Sequence, residues 1–469
     1  MILECESCGA GYPASATQCP YCNAGAFLAH QIVPATVILD TECYPNYWLC
    51  KFMHVETGET QEFNLFDGHP LDAIGLRNRL TTSRNITFNG RKYDMPMIAY
   101  ALSGATNAQL KQASDAIIRS NLQPWQFYEA YHVGDPNEVI DHIDLFEVAP
   151  GQGSLKAYGG KMHSRKLQDL PIDPDASIAW PERLVLREYC GNDLIVTCDL
   201  YKTFPAQIKL REDMGAEYGV DLRSKSDAQI AETVMKRLLP FKVERPHIAA
   251  GTQFYYRPPE WLSFNGLNLL ELLARSPFTI TDTGSVAMTA ELENTVIRIG
   301  STAYKMGIGG LHSMESSVAY QANDVYSLTD HDVVSYYPSL IIRTGIFPQQ
   351  IGDAFQTHYR DWYSRRLAAK HSGDKKTANS LKTLLNGTFG KLGSRWSIFY
   401  APSEMIQVTV TGQLALLMLI EAIERCGIAV ISANTDGIVV KCPRHMEWVR
   451  DDIVRWWERV TQFETEVSR

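Results

Sequence analysis

Residues 430–440 read VISANTDGIVV, two apolar runs of β-forming residues folded around Asn434-Thr435-Asp436-Gly437. Asp-Gly between alternating hydrophobics is a strong short signal for a β-hairpin, because its residues tolerate the positive φ that a tight turn demands. Taken alone, the stretch is an ordinary turn. Taken as chemistry, it fixes a carboxylate at a hairpin tip, where a catalytic metal can bind. A second carboxylate would then have to come from elsewhere, since Asn434 stands where another acid could be.

The chain of 469 residues is too long for one core. With 45% hydrophobic and 10% aromatic residues it has a globular composition. A net charge of −9 excludes a uniformly basic nucleic-acid coat but leaves local patches open. The start, MILECESCGA, lacks a basic segment followed by an apolar one, and the run LALLMLIEAI is broken at Glu421. A soluble, cytoplasmic chain with no membrane partner is expected. Cys5-x2-Cys8 and Cys19-x2-Cys22 form two knuckles able to give four thiolates to a tetrahedral Zn²⁺. Cys43, Cys50, Cys190, Cys198, Cys426 and Cys442 sit in apolar segments and read as core fillers.

After a linker near Gln31–Pro34, strand and helix patterns alternate to about Gly215, as in an α/β domain. The next stretch begins helical with DAQIAETVMKRLLPF. Short strands follow from Ser301, and then two helices, Phe355–Lys370 and Lys375–Asn386, separated by the turn-forming His-Ser-Gly-Asp. Between Arg360 and Arg395 stand nine Lys or Arg against two Asp. Such a run can be a solvated face. Yet Arg366 and Lys370 lie four apart on one helix, where like charges repel, and Lys382 and Asn386 repeat the spacing. Facing each other, the two helices would make a triphosphate clamp.

Acids recur in a telling order. In TVILDTECY, Asp40 and Glu42 are two apart, so on a strand both point to one face. In TFNGRKYDMPMI, Asp94 follows a glycine turn, and in LVLREYCGNDLIVTCDLYKTF, Tyr189 and Asp193 share a helix face. As DTE, NGRKYD and YCGND, with the intervening HIDLFEV and SLKAYGG, these segments resemble the 3′–5′ exonuclease domain of family B DNA polymerases. The resemblance implies an RNase H-like fold with two Mg²⁺ or Mn²⁺ ions held by Asp40, Glu42, Asp94 and Asp193. Tyr189 would orient the attacking water, and Asn89 with Tyr93 would seat the frayed 3′ end.

TDHDVVSYYPSLI, in which the proline reads as a strand terminator, resembles the first polymerase motif of the same family, with Tyr336 in place of a leucine. It implies Asp332 as a metal ligand and Tyr337 as the residue under the sugar. LKTLLNGTFGKLG resembles the finger-helix motif, with Gly387 and Phe389 in place of serine and tyrosine. Lys382 would then meet the nucleotide phosphates, Asn386 and Phe389 would flank the nascent pair, and Arg366 and Lys370 would match the other finger cations. NTDG stands against the family's Asp-Thr-Asp, so Asp436 pairs with Asp332 as ligands of Mg²⁺ or Mn²⁺. Gly309 and Gly310 in GIGGLHS resemble the loop that guides the primer strand.

The expected fold is therefore multidomain, α/β and α+β. It comprises a zinc ribbon (1–30), an exonuclease domain (31–215), an intervening region of uncertain fold (216–300), palm (301–352), helical fingers (353–390) and a second palm segment (391–469). No tyrosine follows Tyr400. The family's primer-contacting Lys-x-Tyr motif and its thumb are thus expected to be missing, through truncation or because a second polypeptide supplies the thumb. Asp332 and Lys382 lie 50 residues apart, and Lys382 and Asp436 lie 54 apart. That compactness favours extension of a nucleic-acid primer over protein priming. The expected activity is a phage or mobile-element DNA polymerase that acts on primer–template DNA and deoxynucleoside triphosphates, with the zinc ribbon docking DNA or a replisome partner. Two rivals stay open: an exonuclease whose other half only grips DNA, and a zinc-ribbon scaffold.

Overall fold

The computed structural model describes residues 2–4, 11–13 and 34–468, apart from 152, 267 and 316. The four clustered cysteines, Cys5, Cys8, Cys19 and Cys22, lie outside the described residues. The chain divides into two compact units, Met1–Gly215 and Ala216–Arg469, of mixed α/β character.

The first unit is built on five strands, β1 (Ala35–Tyr44), β2 (Tyr47–His54), β3 (Thr60–Phe66), β4 (Ser83–Thr87) and β5 (Asp141–Asp144). Their order is β3-β2-β1-β4-β5, antiparallel through β3, β2 and β1 and parallel from β1 to β5. Both faces of β1 are covered. Val37, Leu39 and Cys43 pack with Met95, Met97 and Leu110 of helices α1 (Asp94–Leu102) and α2 (Asn107–Ser120). Ile38 and Tyr44 pack on the other face with residues such as Leu194 and Leu186 of α3 (Trp180–Thr203). The strand period of two therefore sends Asp40 and Glu42 toward α3. Pairing of β1 with β4 ends at Ile38–Ile86, so these acids lie past the end of that pairing.

The second unit carries a seven-stranded antiparallel sheet of β6 (Val296–Ile299), β7 (Thr302–Lys305), β8 (His312–Ser313), β9 (Tyr326–Val333), β10 (Ala429–Asn434), β11 (Gly437–Pro443) and β12 (Thr465–Ser468). Its order is β6-β7-β8-β10-β11-β9-β12. The expected hairpin is β10 and β11, with a register shift between Val430 and Ser432. Helix α4 (Asp227–Leu238) opens this unit. Pro338 does not end the strand as expected; it sits in the first turn of helix α5 (Tyr336–Thr344), where a missing N–H costs nothing.

The two expected helices are α6 (Asp353–Ser372) and α7 (Lys375–Lys391), joined through Gly373 at a positive φ of 75°. The stretch 216–300 packs within this unit. A Cβ on Gly387 of α7 would stand 2.5 Å from the Asp227 carbonyl oxygen, which explains a glycine in mid-helix.

Helix α8 (Pro402–Arg425) corrects one expectation. It is long and apolar enough to cross a membrane by length and composition, but it is the buried core helix of this unit. Glu421 does not interrupt it. That carboxylate is buried and accepts the backbone N–H groups of Asn265 and Gly266 at 2.8 and 2.9 Å. From the last long helix, α9 (Glu447–Thr461), Trp457 Nε1 donates to the Ala415 carbonyl.

Candidate active sites

In the first unit the four expected acids come together. Asp40 and Glu42 leave β1 on the α3 face, and α3 presents Tyr189, Cys190 and Asp193. Asp94 enters at the N-terminus of α1, where Thr41 Oγ1 donates to its Oδ1 at 2.6 Å. Glu42 is 9% exposed and Asp94 3%. Burial, and then the charges of Asp94, Glu42 and Asp193, raise the Asp40 carboxyl well above its ordinary value. Glu42 is raised by burial and by Asp193 and Asp94. Asp94 is pushed up to about 7, chiefly by burial. Burial also raises Asp193, opposed by a hydrogen bond from the Tyr189 hydroxyl. Lys51 lies opposite Asp40 in the β1–β2 pair, yet its ammonium is held by the Arg187 carbonyl at 2.9 Å and Glu62 at 3.0 Å. Four crowded carboxyls, two buried and two half-buried, repel one another here, an arrangement whose oxygen donors could hold divalent cations.

Tyr93 and Asn89, expected at the 3′ end, also shape the approach to Asp94. The Tyr93 hydroxyl bonds Ser114 Oγ at 2.8 Å and its ring packs on the apolar cluster beneath, so it props the start of α1. Asn89 adopts φ 66°, and its N–H donates to Asp144 Oδ1 at 2.7 Å while that of Arg91 donates to Oδ2 at 2.9 Å. Asp144, 2% exposed, thus fixes the turn that delivers Asp94. The sequence reading gave it no role, although it stands in HIDLFEV. Cys190 is no mere core filler either, for its Sγ lies 3.7 Å from Asp40 Oδ2. Cys426 is exposed, whereas Cys43, Cys50, Cys198 and Cys442 are buried as expected.

In the second unit Asp332 stands one residue before the end of β9, in register with Gly437 of β11. A Cβ on Gly437 would lie 2.2 Å from Asp332 Oδ1, so the carboxylate rests directly over the glycine that follows Asp436. The Val333 N–H donates to the Asp436 carbonyl at 2.8 Å. Burial and then the charge of Asp332 raise Asp436. Asp330, two residues before Asp332 on the same strand face, is raised by burial and by both of these acids. It was missed by the sequence reading, although the i, i+2 rule applied to Asp40 and Glu42 would have found it. Glu466 of β12, opposite Asp332, was missed because only the sheet order brings it there.

The expected guide loop abuts this hairpin. Gln413 of α8 donates to the Gly307 and Gly309 carbonyls at 2.8 and 2.9 Å, and Gly310 lies against Thr435. The Thr435 N–H donates to the Leu311 carbonyl at 2.8 Å. Asn434, the last residue of β10, pairs with His312 of β8 on one side and with Gly437 of β11 on the other.

Beyond Asp332 the chain opens a cavity of about 540 Å³ whose lining includes Ser335, Arg366, Lys370, Lys382 and Glu466. Arg366 donates to Ser335 Oγ, and its Nε is buried with no partner among the described residues. Lys370 Nζ meets Glu466 Oε1 at 2.7 Å. Lys382 and Asn386 are exposed on α7. Tyr337 of α5 and Phe389 of α7 stack with centroids 4.0 Å apart and planes 10° from parallel. The cavity thus has cations from α6 and α7 in its wall together with Glu466, and α7 also contributes Phe389 to the stack with Tyr337 of α5.

No protein-family profile matches the chain, and no curated protein does. Among solved structures, the family B DNA polymerase from the hyperthermophilic archaeon Pyrobaculum calidifontis superposes with a TM-score of 0.48 at 13% identity. The match covers 94% of this chain and 57% of that one, so this chain spans little more than half of that polymerase's length.

Proposed function

We propose that the chain is a DNA-directed DNA polymerase of the family B type that extends a nucleic-acid primer and proofreads it with a 3′–5′ exonuclease. The carrying observation is the convergence of Asp332 and Asp436. Remote in sequence, they meet through the β9–β11 register beside a cavity lined by Arg366, Lys370 and Lys382. Carboxylates beside a cationic pocket suit a metal-bound triphosphate better than either charge alone.

Mg²⁺ or Mn²⁺ held by Asp332 and Asp436 would supply the Lewis acidity for attack of the primer 3′-hydroxyl on the α-phosphate. Arg366 Nε, buried and unpaired, is ready to donate to a phosphate oxygen, and Lys382 neutralises charge from α7. Lys370 must exchange Glu466 for phosphate. The Tyr337–Phe389 stack gives the sugar and nascent pair a flat surface.

In the first unit, the strand order 3-2-1-4-5 and the central acids support an RNase H-like exonuclease. Asp40, Glu42, Asp94 and Asp193 would hold its two Mg²⁺ or Mn²⁺ ions, while Tyr189 orients water through its bond to Asp193. The knuckles at Cys5, Cys8, Cys19 and Cys22 are proposed as a Zn²⁺ ribbon on their spacing alone. The nuclease-only rival draws on the completeness of the first acid cluster.

A labelled primer–template incubated with Mg²⁺, with and without nucleotides, separates the readings. Extension that Asp332→Ala abolishes and Asp40→Ala spares is the expected result. Shortening alone would leave a nuclease, and binding with no change of length would leave a scaffold.

A further inference from the structure

The candidate exonuclease centre contains a sulfur. Asp40, Glu42 and Cys190 each offer one ligand atom, and these atoms lie within 4.8 Å of one another. The fold makes this arrangement in two steps. Asp40 and Glu42 share the β1 face that α3 covers, and Cys190 lies three residues before Asp193, so both project from one side of α3. The thiol is fully buried and its Sγ stands 3.7 Å from Asp40 Oδ2.

That spacing is informative. A cation bound at about 2.3 Å to sulfur and about 2.1 Å to oxygen with a tetrahedral angle separates the two donors by roughly 3.6 Å. Without a cation the contact is a hydrogen bond from the Cys190 thiol to Asp40 Oδ2, and its length also suits two donors of one small thiophilic cation, with Glu42 near enough to be a third. No other group of three or more acid, cysteine or histidine side chains with converging ligand atoms is found among the described residues.

We infer that Cys190 is a metal ligand of the Asp40–Glu42 site, giving it an O, O, S donor set that selects a borderline cation such as Zn²⁺ or Co²⁺ over Mg²⁺. The inference rests on the reading of this acid cluster as a divalent-metal site and adds to it which metals are preferred. On binding, the Sγ–H bond breaks, the proton passes to buffer and a sulfur–metal bond forms; no electron is transferred. Oxygen-only sites suit Mg²⁺, whereas thiolate pulls selectivity toward the later first-row ions.

The test is spectroscopic. The full chain, first supplied with enough Zn²⁺ to fill the Cys5–Cys22 knuckles, is titrated with Co²⁺ and followed by thiolate-to-Co²⁺ charge-transfer absorption and by calorimetry. The native chain should show the band, and Cys190→Ser should lose it and bind Co²⁺ at least about tenfold more weakly, while its Mg²⁺ affinity stays within about twofold. Asp40-dependent Co²⁺ binding without any band would overturn the role of Cys190 and leave the metal-site reading intact. Absence of Asp40-dependent binding of any divalent ion would overturn both. Should Cys190→Ser melt early, Asp40→Asn in the otherwise native chain decides, and a band that survives it refutes the inference.

Discussion

The two acid clusters solve opposite problems. In the first unit the carboxyls of Asp40, Glu42, Asp94 and Asp193 are largely buried, and each is raised chiefly by its burial. In the second unit Asp332 and Asp436 stand exposed beside Arg366, Lys370 and Lys382. The first gathers charge of one sign, and the second sets acids beside cations. Burial of charge is costly unless it is paired, so on the proposed reading the closed cluster would hold its metals while the open one would admit and release substrate.

The sharpest way to break the comparison is to remove one acid from each cluster. Asp436→Ala should cut primer extension by well over about 100-fold, since loss of mere outer-shell partners already costs roughly 10–100-fold, and it should leave shortening intact. Asp40→Ala should do the reverse, with both rates read on one gel. If either variant lost both activities, the clusters would not be independent.

Next in size is the cationic wall. Lys382→Ala should lower kcat/KM for the incoming nucleotide by about 10–100-fold in single-nucleotide kinetics, the worth of one charge-assisted hydrogen bond. Exonuclease rates should not change.

The buried cluster should also show itself in a pH-dependent stability. Asp94 titrates near 7 in the fold against an ordinary value of 3.8, so the folded state binds the extra proton. Its contribution is full below about pH 4 and is lost as pH rises toward about 7. Without added Mg²⁺ the melting temperature of the first unit should fall across that window, and Mg²⁺ should restore it at the upper end. Asp94→Asn should flatten the profile.

The smallest effect is expected at Asp330. Asp330→Asn removes a like charge from beside Asp332 and Asp436, and should weaken the Mg²⁺ dependence of extension by only about 2- to 10-fold. No change at all would make Asp330 a bystander.

The chain's own order of residues determined much of this. Alternation placed Asp40 and Glu42 on one face of a strand, the helical period joined Tyr189 to Asp193, and the Asp-Gly signal marked the hairpin that carries Asp436, although the positive φ of its turn falls on Thr435. These are local geometries, set within a few residues by backbone sterics, and a sequence displays them directly. What it could not display was adjacency across the sheet. Glu466 reaches Asp332 only because β12 adds to the edge at β9, and Asp144 serves Asp94 only because β5 ends beside the turn at Asn89. Cys190 looked like filler until α3 was laid across β1. Side-chain periodicity says which residues share a face; packing of one element on another decides what that face meets.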